Sequence, residues 1–423
     1  MPFRLFLDVT STYNSGLMTG IQRVVRSLAK ELSGLAPDHE VEVILITFDP
    51  HNPRKVNRLS PAQLAQHFDP MNVAPSTNAF YKSSFFLFPK KLFYLTKRFI
   101  PQRVLGSYFF KSSVRKSVDF LFLALNFQRS LSKPQRVRFR EGDVLLLVDA
   151  FWSTPNILPS TMEAKNCGAK IAVLIHDIIP ITHPEFVDLS FAKKFSEMLP
   201  DLLLLADMLL YPSFYTREQL VSRFFPDDIS IPNKRILWGV SKSRENSTLR
   251  NLSRMPNSIV MVGTVEPRKN HLLVLDWYLR LAPDKTKLTV IGKNSWIDSD
   301  LITALRRESQ RDSGLTWIED ASDYDLDYEM SRHAIGLMAS HVEGFGLPVL
   351  EYSAKGLRLV LSDIPVFREL ASDSADYFDS KSIESLDQAI DRALIKKSVS
   401  SVPEVLWKDT ALDILIFIKK ELF

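Results

Sequence analysis

The hydrophobic and polar positions of this chain fall into short apolar runs that alternate with longer stretches of helical periodicity. In the first part of the chain the apolar runs lie at residues 4–9, 41–48, 144–148, 171–175 and 208–211. In the second part they lie at residues 258–263, 287–292, 334–338 and 358–362. Runs of this length between helical patterns are typical of strands in βαβ units. The pattern therefore predicts an α/β protein built on parallel sheets.

A polar segment without any apolar run, SKSRENSTLRNLSRMPN at residues 241–257, separates the two sets of predicted strands. This segment is the best interdomain linker in the sequence. It divides the chain into a first half, residues 1–240, and a second half, residues 258–400, each expected to be Rossmann-like. Residues 401–423 have helical spacing, and we expect this helix to dock back onto the first half. A site is expected in the cleft between the halves, at the carboxyl ends of the strands.

Composition narrows the class of protein and its compartment. The 423 residues are 45% hydrophobic and 24% charged, an ordinary soluble composition that excludes disorder, collagen and coiled coil. The single cysteine, Cys167, has no disulfide partner within the chain, which fits a reducing cytoplasm. Asp8 follows too few apolar residues for a secretory signal, and no run reaches the roughly 18 to 20 apolar residues that span a membrane. We therefore expect a cytoplasmic protein.

Positive charge is concentrated in one region, residues 82–140, which carries fourteen Lys and Arg against one Asp in a chain of net charge +4. The first part of this region is also rich in aromatic residues, and we expect a basic aromatic helical insertion at residues 80–140 of the first half. Rings beside cations suit a helix lying in an anionic membrane surface. A helical subdomain with a buried aromatic core explains the same pattern, and both interpretations stay open. Nucleic acid is disfavoured because no nucleic-acid-binding motif accompanies the charge.

The most informative motif is HVEGFGLPVLEYSAKG at residues 341–356, directly after a predicted strand. Glycine is scarce, 14 of 423 residues, so the pair Gly344 and Gly346 in one turn stands out. Such a turn lets a ligand approach the backbone, and the start of the following helix favours an anion such as phosphate. Glu343 and Glu351, eight residues apart, can both face one cleft and accept hydrogen bonds from hydroxyls. The alternative is a turn that only caps a helix.

A second motif, VGTVEPRKNH, follows the first strand of the second half. Gly263 ends the strand, and Arg268 and Lys269 place two cations at the strand-to-helix turn, where they would neutralise a diphosphate. Alone, the two cations could be a solvated helix start. Together with the glycine turn they favour a phosphate site.

In the first half, LIHDIIPITHPEF places His176 and Asp177 directly after a predicted strand. His176 has three open roles: general acid or base, hydrogen bonding to a sugar, or a core histidine satisfied by backbone. A metal-dependent HD phosphohydrolase lacks the further His and Asp ligands it would need. Gly20 lies between the first strand and its helix and could bring backbone N–H groups toward a phosphate. The dinucleotide, P-loop, zincin and α/β-hydrolase motifs are absent.

These segments resemble a known family. EGFGLPVLE resembles the E-x7-E motif of retaining glycosyltransferases of the GT-B fold, family 4. TGIQRVVR, HDIIPITHPE, YPSFYTREQL and VGTVEPRKN resemble other landmarks of that family in the right order, over nearly the whole chain except residues 80–140. The combination is most similar to mannosyl- and related transferases of bacterial O-antigen and capsule assembly. The resemblance implies two Rossmann-like domains that face each other across a cleft.

The resemblance also implies roles for second-half residues. Glu351 would hold the ribose hydroxyls of a donor nucleotide, and Glu343 would contact hydroxyls of the donor sugar. Arg268 and Lys269 would neutralise the diphosphate leaving group, so that no metal or other cofactor is required. Lys293, after a predicted strand, would line the base pocket. The sugar and diphosphate would also meet backbone N–H groups around Gly344, Phe345, Gly346 and Leu347.

In the first half, the resemblance implies that Gly20 lies against the diphosphate and that His176, with Asp177 beside it, contacts the transferred sugar. Relatives often have a glycine pair where this chain has one glycine near Thr19, which leaves the first-half diphosphate contact open.

The implied function is a retaining hexosyltransferase at the inner face of the cytoplasmic membrane. It would move mannose or a related sugar from a nucleotide donor, with a GDP-sugar favoured over a UDP-sugar, to a lipid-linked glycan. Partner glycosyltransferases and an anionic membrane surface are expected as further contacts. Two alternatives stay open: a catalytically inactive GT-B scaffold or glycan-binding module, and a nucleotide-cofactor oxidoreductase, which the missing fingerprint disfavours.

Overall fold

A computed structural model describes eight stretches of the chain: residues 3–15, 19–59, 135–241, 253–280, 286–294, 299–311, 314–396 and 402–422. The chain divides into two compact units, the larger made of Met1–Val56 and Val137–Phe423 and the smaller of Asn57–Arg136. Apart from residues 135–140, the basic aromatic insertion predicted at residues 80–140 lies outside the described residues. The predicted second half and, apart from residues 57–136, the predicted first half lie in the larger unit.

The strands of the first half are β1 (Phe3–Asp8), β2 (Val41–Phe48), β3 (Val56–Arg58), β4 (Gln135–Val137), β5 (Val144–Leu147), β6 (Lys170–Leu174), β7 (Met208–Tyr211) and β8 (Asn233–Arg235). Within the larger unit, six of them pair in parallel in the order β2-β1-β5-β6-β7-β8. β1 and β5 are buried over almost their whole length, as central strands of a parallel sheet are when helices cover both faces.

The helices of the first half are α1 (Thr10–Ser15), α2 (Gly20–Leu35), α3 (Ile157–Asn166), α4 (Ile179–Thr182), α5 (Leu189–Leu205) and α6 (Phe214–Phe224). Local sequence explains where several begin. Asp188 caps α5 by accepting hydrogen bonds from the backbone of Ser190 and Phe191, and Ser213 caps α6 through the N–H of Thr216. α2 buries one face, which includes Val24, Val25, Leu28 and Leu32.

The second half forms a six-stranded parallel sheet of β9 (Ser258–Val262), β10 (Lys287–Ile291), β11 (Leu315–Ile318), β12 (Ile335–Met338), β13 (Arg358–Ser362) and β14 (Ala375–Phe378). Its order is β11-β10-β9-β12-β13-β14, the doubly wound order of dinucleotide-binding folds. The order reverses between β9 and β12, and the crevice at that point is where such sheets bind ligands.

The remaining helices are α7 (His271–Leu279), α8 (Ser299–Gln310), α9 (Asp323–Arg332), α10 (Leu347–Ala354), α11 (Pro365–Ala371), α12 (Ile383–Ile395) and α13 (Trp407–Leu422). α13 lies against the first half: Thr410 Oγ1 donates to the carbonyl oxygen of Leu237 at 2.8 Å, and Asp413 pairs with Lys234. None of the helices within the described ranges has the length and apolar character needed to cross a membrane.

The prediction of an α/β fold with parallel sheets is confirmed, and each of the nine predicted strands is present within a residue of its expected bounds. Prediction from the pattern missed β3, β4, β8, β11 and β14, each of which is only 3 or 4 residues long. The boundaries proposed at residues 240, 257 and 400 stay predictions, and residues 242–252 of the linker lie outside the described residues.

Candidate functional site

The two sequence motifs of the second half meet at the switch point of its sheet. After β9, a short 3₁₀ turn at Pro267–Lys269 carries both cations. After β12, the glycine turn leads into α10, whose first turn contains Pro348. Gly346 adopts a left-handed backbone with φ of 104°, a conformation that side chains with a Cβ rarely adopt. The sheet order therefore brings together Lys269 and Glu343, which lie 74 residues apart in the chain.

Glu343 is the centre of this cluster, and its side chain is only 8% exposed. Lys269 Nζ lies 2.5 Å from Glu343 Oε1, and Arg268 Nη1 lies 2.6 Å from Oε2. Ser340 Oγ also donates to Oε1, at 2.7 Å. Burial acts to raise the pKa of Glu343, but Arg268 and Lys269 outweigh it and lower that pKa to about 2. Glu343 is therefore a carboxylate at neutral pH, and each of its oxygens has a cationic partner.

Arg268 has further partners that fix its guanidinium. Its Nη1 donates to the carbonyl oxygen of Val342 at 3.0 Å, and its Nη2 lies 2.6 Å from Glu266 Oε1. Burial acts to lower the pKa of Arg268, yet Glu343 and Glu266 raise it, so the group stays charged. The turn therefore carries two fixed cations, Arg268 and Lys269, in a largely buried setting, where charges act more strongly than in water.

Gly344 touches the first half directly. A Cβ on Gly344 would lie 2.5 Å from the carbonyl oxygen of His176 and 2.7 Å from the Cβ of Asp177. The Gly344 carbonyl oxygen also accepts a hydrogen bond from Ser213 Oγ at 2.7 Å. The absence of a side chain at Gly344 is therefore what lets the two halves approach this closely.

His176 and Asp177 line the first-half wall of this contact. His176 Nε2 lies 2.7 Å from the carbonyl oxygen of Val148. Burial lowers the pKa of His176, so the imidazole is neutral, and because a carbonyl only accepts, the proton is on Nε2 and Nδ1 is an acceptor. Burial raises the pKa of Asp177, against the influence of Arg268, and Asp177 Oδ1 accepts from the N–H of Ile179 at 3.0 Å.

Glu351 extends into the cleft from α10 and forms an ion pair with Arg23 of α2. Prediction from the sequence missed Arg23. One signal was available: a cation within the first turns of a helix opposes the helix dipole, so an arginine there indicates a partner outside the helix. Ser213 was also missed as a site residue, although it lies in the YPSFYTREQL segment.

The other predicted residues lie around this cluster or away from it. Leu347 is the first residue of α10, and Phe345 is buried with its ring edge-on to Trp238 at 6.1 Å. Gly20 is the first residue of α2 and would have no atom within 4 Å of an added Cβ. Lys293 is 67% exposed and lies 3.6 Å from Asp320. The donor roles of all these residues stay predictions.

Comparison with known proteins identifies the second half. Residues 243–402 match the family described as "Glycosyl transferases group 1". The chain contains a glycosyl transferases group 1 domain. This domain spans the second sheet and both motifs at its switch point.

Two curated relatives come from Escherichia coli. The serotype-specific mannosyltransferase WbdA is 27% identical over 323 residues, which cover 69% of this chain and 38% of WbdA. The O-antigen chain mannosyltransferase B is 24% identical over 257 residues, which cover 58% of this chain and 65% of that protein. This chain is thus homologous to these mannosyltransferases over more than half of its own length, while the alignment spans well under half of WbdA.

Solved structures agree with the fold. Sucrose-phosphate synthase from Thermosynechococcus elongatus has a TM-score of 0.57 at 15% identity, and the match covers 99% of this chain and 98% of that one. HepE from Anabaena, solved with UDP and glucose, has a TM-score of 0.54 at 12% identity, with 98% and 94% covered. The predicted GT-B fold is therefore confirmed. The assignment to retaining enzymes of family 4 stays a prediction.

Proposed function

We propose that this protein is a retaining glycosyltransferase that moves mannose, or a related hexose or deoxyhexose, from a nucleoside diphosphate sugar to a glycan. The observation that carries this proposal is the cluster at the switch point of the second sheet. There Arg268 and Lys269 hold Glu343 at 2.6 and 2.5 Å, beside the glycine turn that Gly344 and Gly346 form.

The chemistry of glycosyl transfer matches the charges of this cluster. When the bond between sugar and phosphate breaks, negative charge develops on the departing diphosphate. Arg268 and Lys269 are fixed by their ion pairs, so little reorganisation is needed for them to stabilise that charge. The N–H groups at the start of α10, which follows the glycine turn, also favour a phosphate. The cations can therefore take the part that a metal ion plays in other transferases, and we propose that no metal is required.

A strong base is not needed for this reaction if the acceptor attacks from the face that the diphosphate leaves. The departing phosphate then takes the proton of the acceptor hydroxyl, and the sugar keeps its anomeric configuration. His176, neutral and with Nδ1 as an acceptor, suits a hydrogen bond to a hydroxyl of the transferred sugar. This favours a sugar-binding role for His176 over that of a general acid or base.

The donor, acceptor and location follow from the relatives and are proposals for this chain. Both curated relatives are named mannosyltransferases, which favours GDP-mannose or a related GDP-sugar over a UDP-sugar. A lipid-linked glycan at the inner face of the cytoplasmic membrane would be the acceptor, handled together with partner glycosyltransferases. Residues 82–140, mostly outside the described residues, would bind the anionic membrane surface through their basic and aromatic side chains.

Binding of nucleotides tests this proposal without knowledge of the acceptor. The protein is heated with GDP, UDP or ADP in the presence of EDTA, and the midpoint of unfolding is measured. GDP at 100 times its Kd should stabilise the folded state by about 2.7 kcal/mol, which raises the midpoint by several degrees. Transfer is then followed with radiolabelled GDP-mannose and membrane lipids.

Two variants make the test specific. Lys269→Ala should remove most of the stabilisation by GDP, whereas Lys193→Ala, at an exposed lysine of α5, should retain it. A shift with none of the three nucleotides would contradict the proposal and favour an inactive scaffold. A strict requirement for a metal ion would contradict the proposed stabilisation of the leaving group by Arg268 and Lys269.

A further inference from the structure

Arg23 and Glu351 form an ion pair that joins the two halves across the cleft. Arg23 lies on α2 of the first half, and Glu351 lies on α10, 328 residues further along the chain. The guanidinium is about one third exposed, while the carboxylate is 13% exposed. Glu351 is the main cause of a raised pKa for Arg23, which therefore stays charged. The pair thus links a buried carboxylate of the second half to a fixed cation of the first.

The two oxygens of Glu351 differ in their surroundings. Oε1 accepts the hydrogen bond from Arg23 Nη2. Oε2 is buried and has no hydrogen-bond partner among the residues that the structure describes. A buried carboxylate oxygen without a partner is unfavourable, and such atoms are rare in folded proteins. Oε2 is therefore an acceptor to which a ligand hydroxyl could donate a hydrogen bond.

The position of Arg23 is also unfavourable for its own helix. α2 begins at Gly20, so Arg23 lies in its first turns, and no acidic residue in the first turn offsets its charge. The positive end of the helix dipole repels a cation there. Its partner across the cleft supplies the compensation, because Glu351 lies close enough to form a charged hydrogen bond.

We propose that Arg23 is a positioning residue for the nucleotide donor, an inference that rests on the proposed function. Arg23 holds Oε1 of Glu351 and so presents Oε2 to a hydroxyl of the nucleoside. Because Arg23 comes from the first half and Glu351 from the second, the donor site is complete only when the halves are closed.

The opposing interpretation is that the ion pair only locks an empty cleft. It predicts the opposite change in nucleotide affinity when Arg23 is replaced. A lock competes with the donor, so its removal would tighten nucleotide binding. The structure favours positioning, because the ion pair occupies one oxygen of Glu351 and leaves the other without a partner among the described residues.

The experiment compares binding of GDP and of pyrophosphate, by isothermal titration calorimetry, to the full chain and to its variants. Loss of a hydrogen bond between charged groups corresponds to roughly a tenfold or greater change in affinity, so Arg23→Gln should weaken GDP binding at least about tenfold. Pyrophosphate has no hydroxyl for Glu351, so its affinity should stay within about twofold. Arg23→Lys should recover part of the affinity for GDP. Lys30→Gln, at an exposed cation on the same helix, should bind both ligands as the wild type does.

A double variant shows whether Arg23 acts through Glu351. If it does, Arg23→Gln added to Glu351→Gln should weaken GDP binding no further than Glu351→Gln alone. Tighter or unchanged GDP binding by Arg23→Gln overturns the inference, and so does an equal loss for pyrophosphate, which would make Arg23 a phosphate ligand. If the wild type binds no nucleoside diphosphate, the proposed function fails and the inference fails with it. If Arg23→Gln does not fold, the affinity of Arg23→Lys for GDP decides. Weaker binding than the wild type supports the inference, and unchanged or tighter binding overturns it.

Discussion

Replacing Gly344 with alanine should push the two halves apart at a point where they are in close contact. The added Cβ would lie 2.5 Å from the carbonyl oxygen of His176 and 2.7 Å from the Cβ of Asp177. Contacts of a Cβ below 3.0 Å are essentially never seen, and ordinary contact begins at 3.4 Å. The nearest atom is backbone, which has no rotamer to change. Either the glycine turn or the loop after β6 must therefore move, by on the order of 1 Å.

A movement of this size matters for transfer more than for folding. A misplacement of about 1 Å between reacting groups can lower a rate by roughly 100-fold, and we expect a loss of that order. The hydrogen bond from Ser213 to the Gly344 carbonyl oxygen would be weakened as well, a change of about 1 kcal/mol in the free energy of unfolding. The φ of Gly344 is not in the left-handed region, so alanine is tolerated by the backbone itself. The variant should thus fold and still transfer poorly.

The assay combines the rate of transfer from GDP-mannose with the radius of gyration from solution scattering in the presence of GDP. Gly34→Ala is the matched control, because an added Cβ there would have no atom within 4 Å. We expect Gly34→Ala to match the wild type in both measurements, and Gly344→Ala to transfer about 100-fold more slowly and to stay more open with GDP. A Gly344→Ala variant with a transfer rate within twofold of the wild type would refute the claim that this close approach is needed for the reaction.

Three further predictions concern other parts of the chain. Lys269→Met leaves Glu343 buried with one cation fewer, so unfolding in urea should show a loss of about 3–5 kcal/mol, and Glu343→Gln in the same chain should restore part of it without restoring transfer. Burial and the neighbouring Asp149 raise the pKa of Asp8 to about 7, whereas an unfolded Asp titrates near 3.9. The folded protein therefore keeps a proton that the unfolded chain loses, and the contribution of Asp8 to stability falls as pH rises from about 4 to 7. The free energy of unfolding of Asp8→Asn, compared with that of the wild type, should be higher at pH 8 than at pH 5. The same difference between the two proteins at both pH values would contradict a raised pKa of Asp8. Reversal of the charges in residues 82–140 should release the protein from anionic vesicles, and added salt should weaken wild-type binding, whereas retained binding would leave only the packing interpretation of that region.

Much of the fold and of the second-half site could be predicted because the signals are local. Each strand of β9, β12 and β13 is a short apolar run, and a buried parallel strand requires such a run. Arg268 and Lys269 follow β9, and Glu343 follows β12, so a doubly wound order alone places them at one crevice. The short strand β8 was missed because its sequence, NKR, contains no apolar residue.

Two parallel α/β halves, a switch-point cluster and the charges within it are predictable from the sequence, since strand, turn and helix signals act over a few residues. Which surfaces of the halves meet is visible only in the folded protein. It pairs Arg23 with Glu351, 328 residues away, and seats Gly344 against His176 and Asp177. Hydrophobic periodicity indicates only which face of an element is buried within its own half. The contacts across the cleft depend on the shapes and charges of two finished surfaces, which no local pattern specifies.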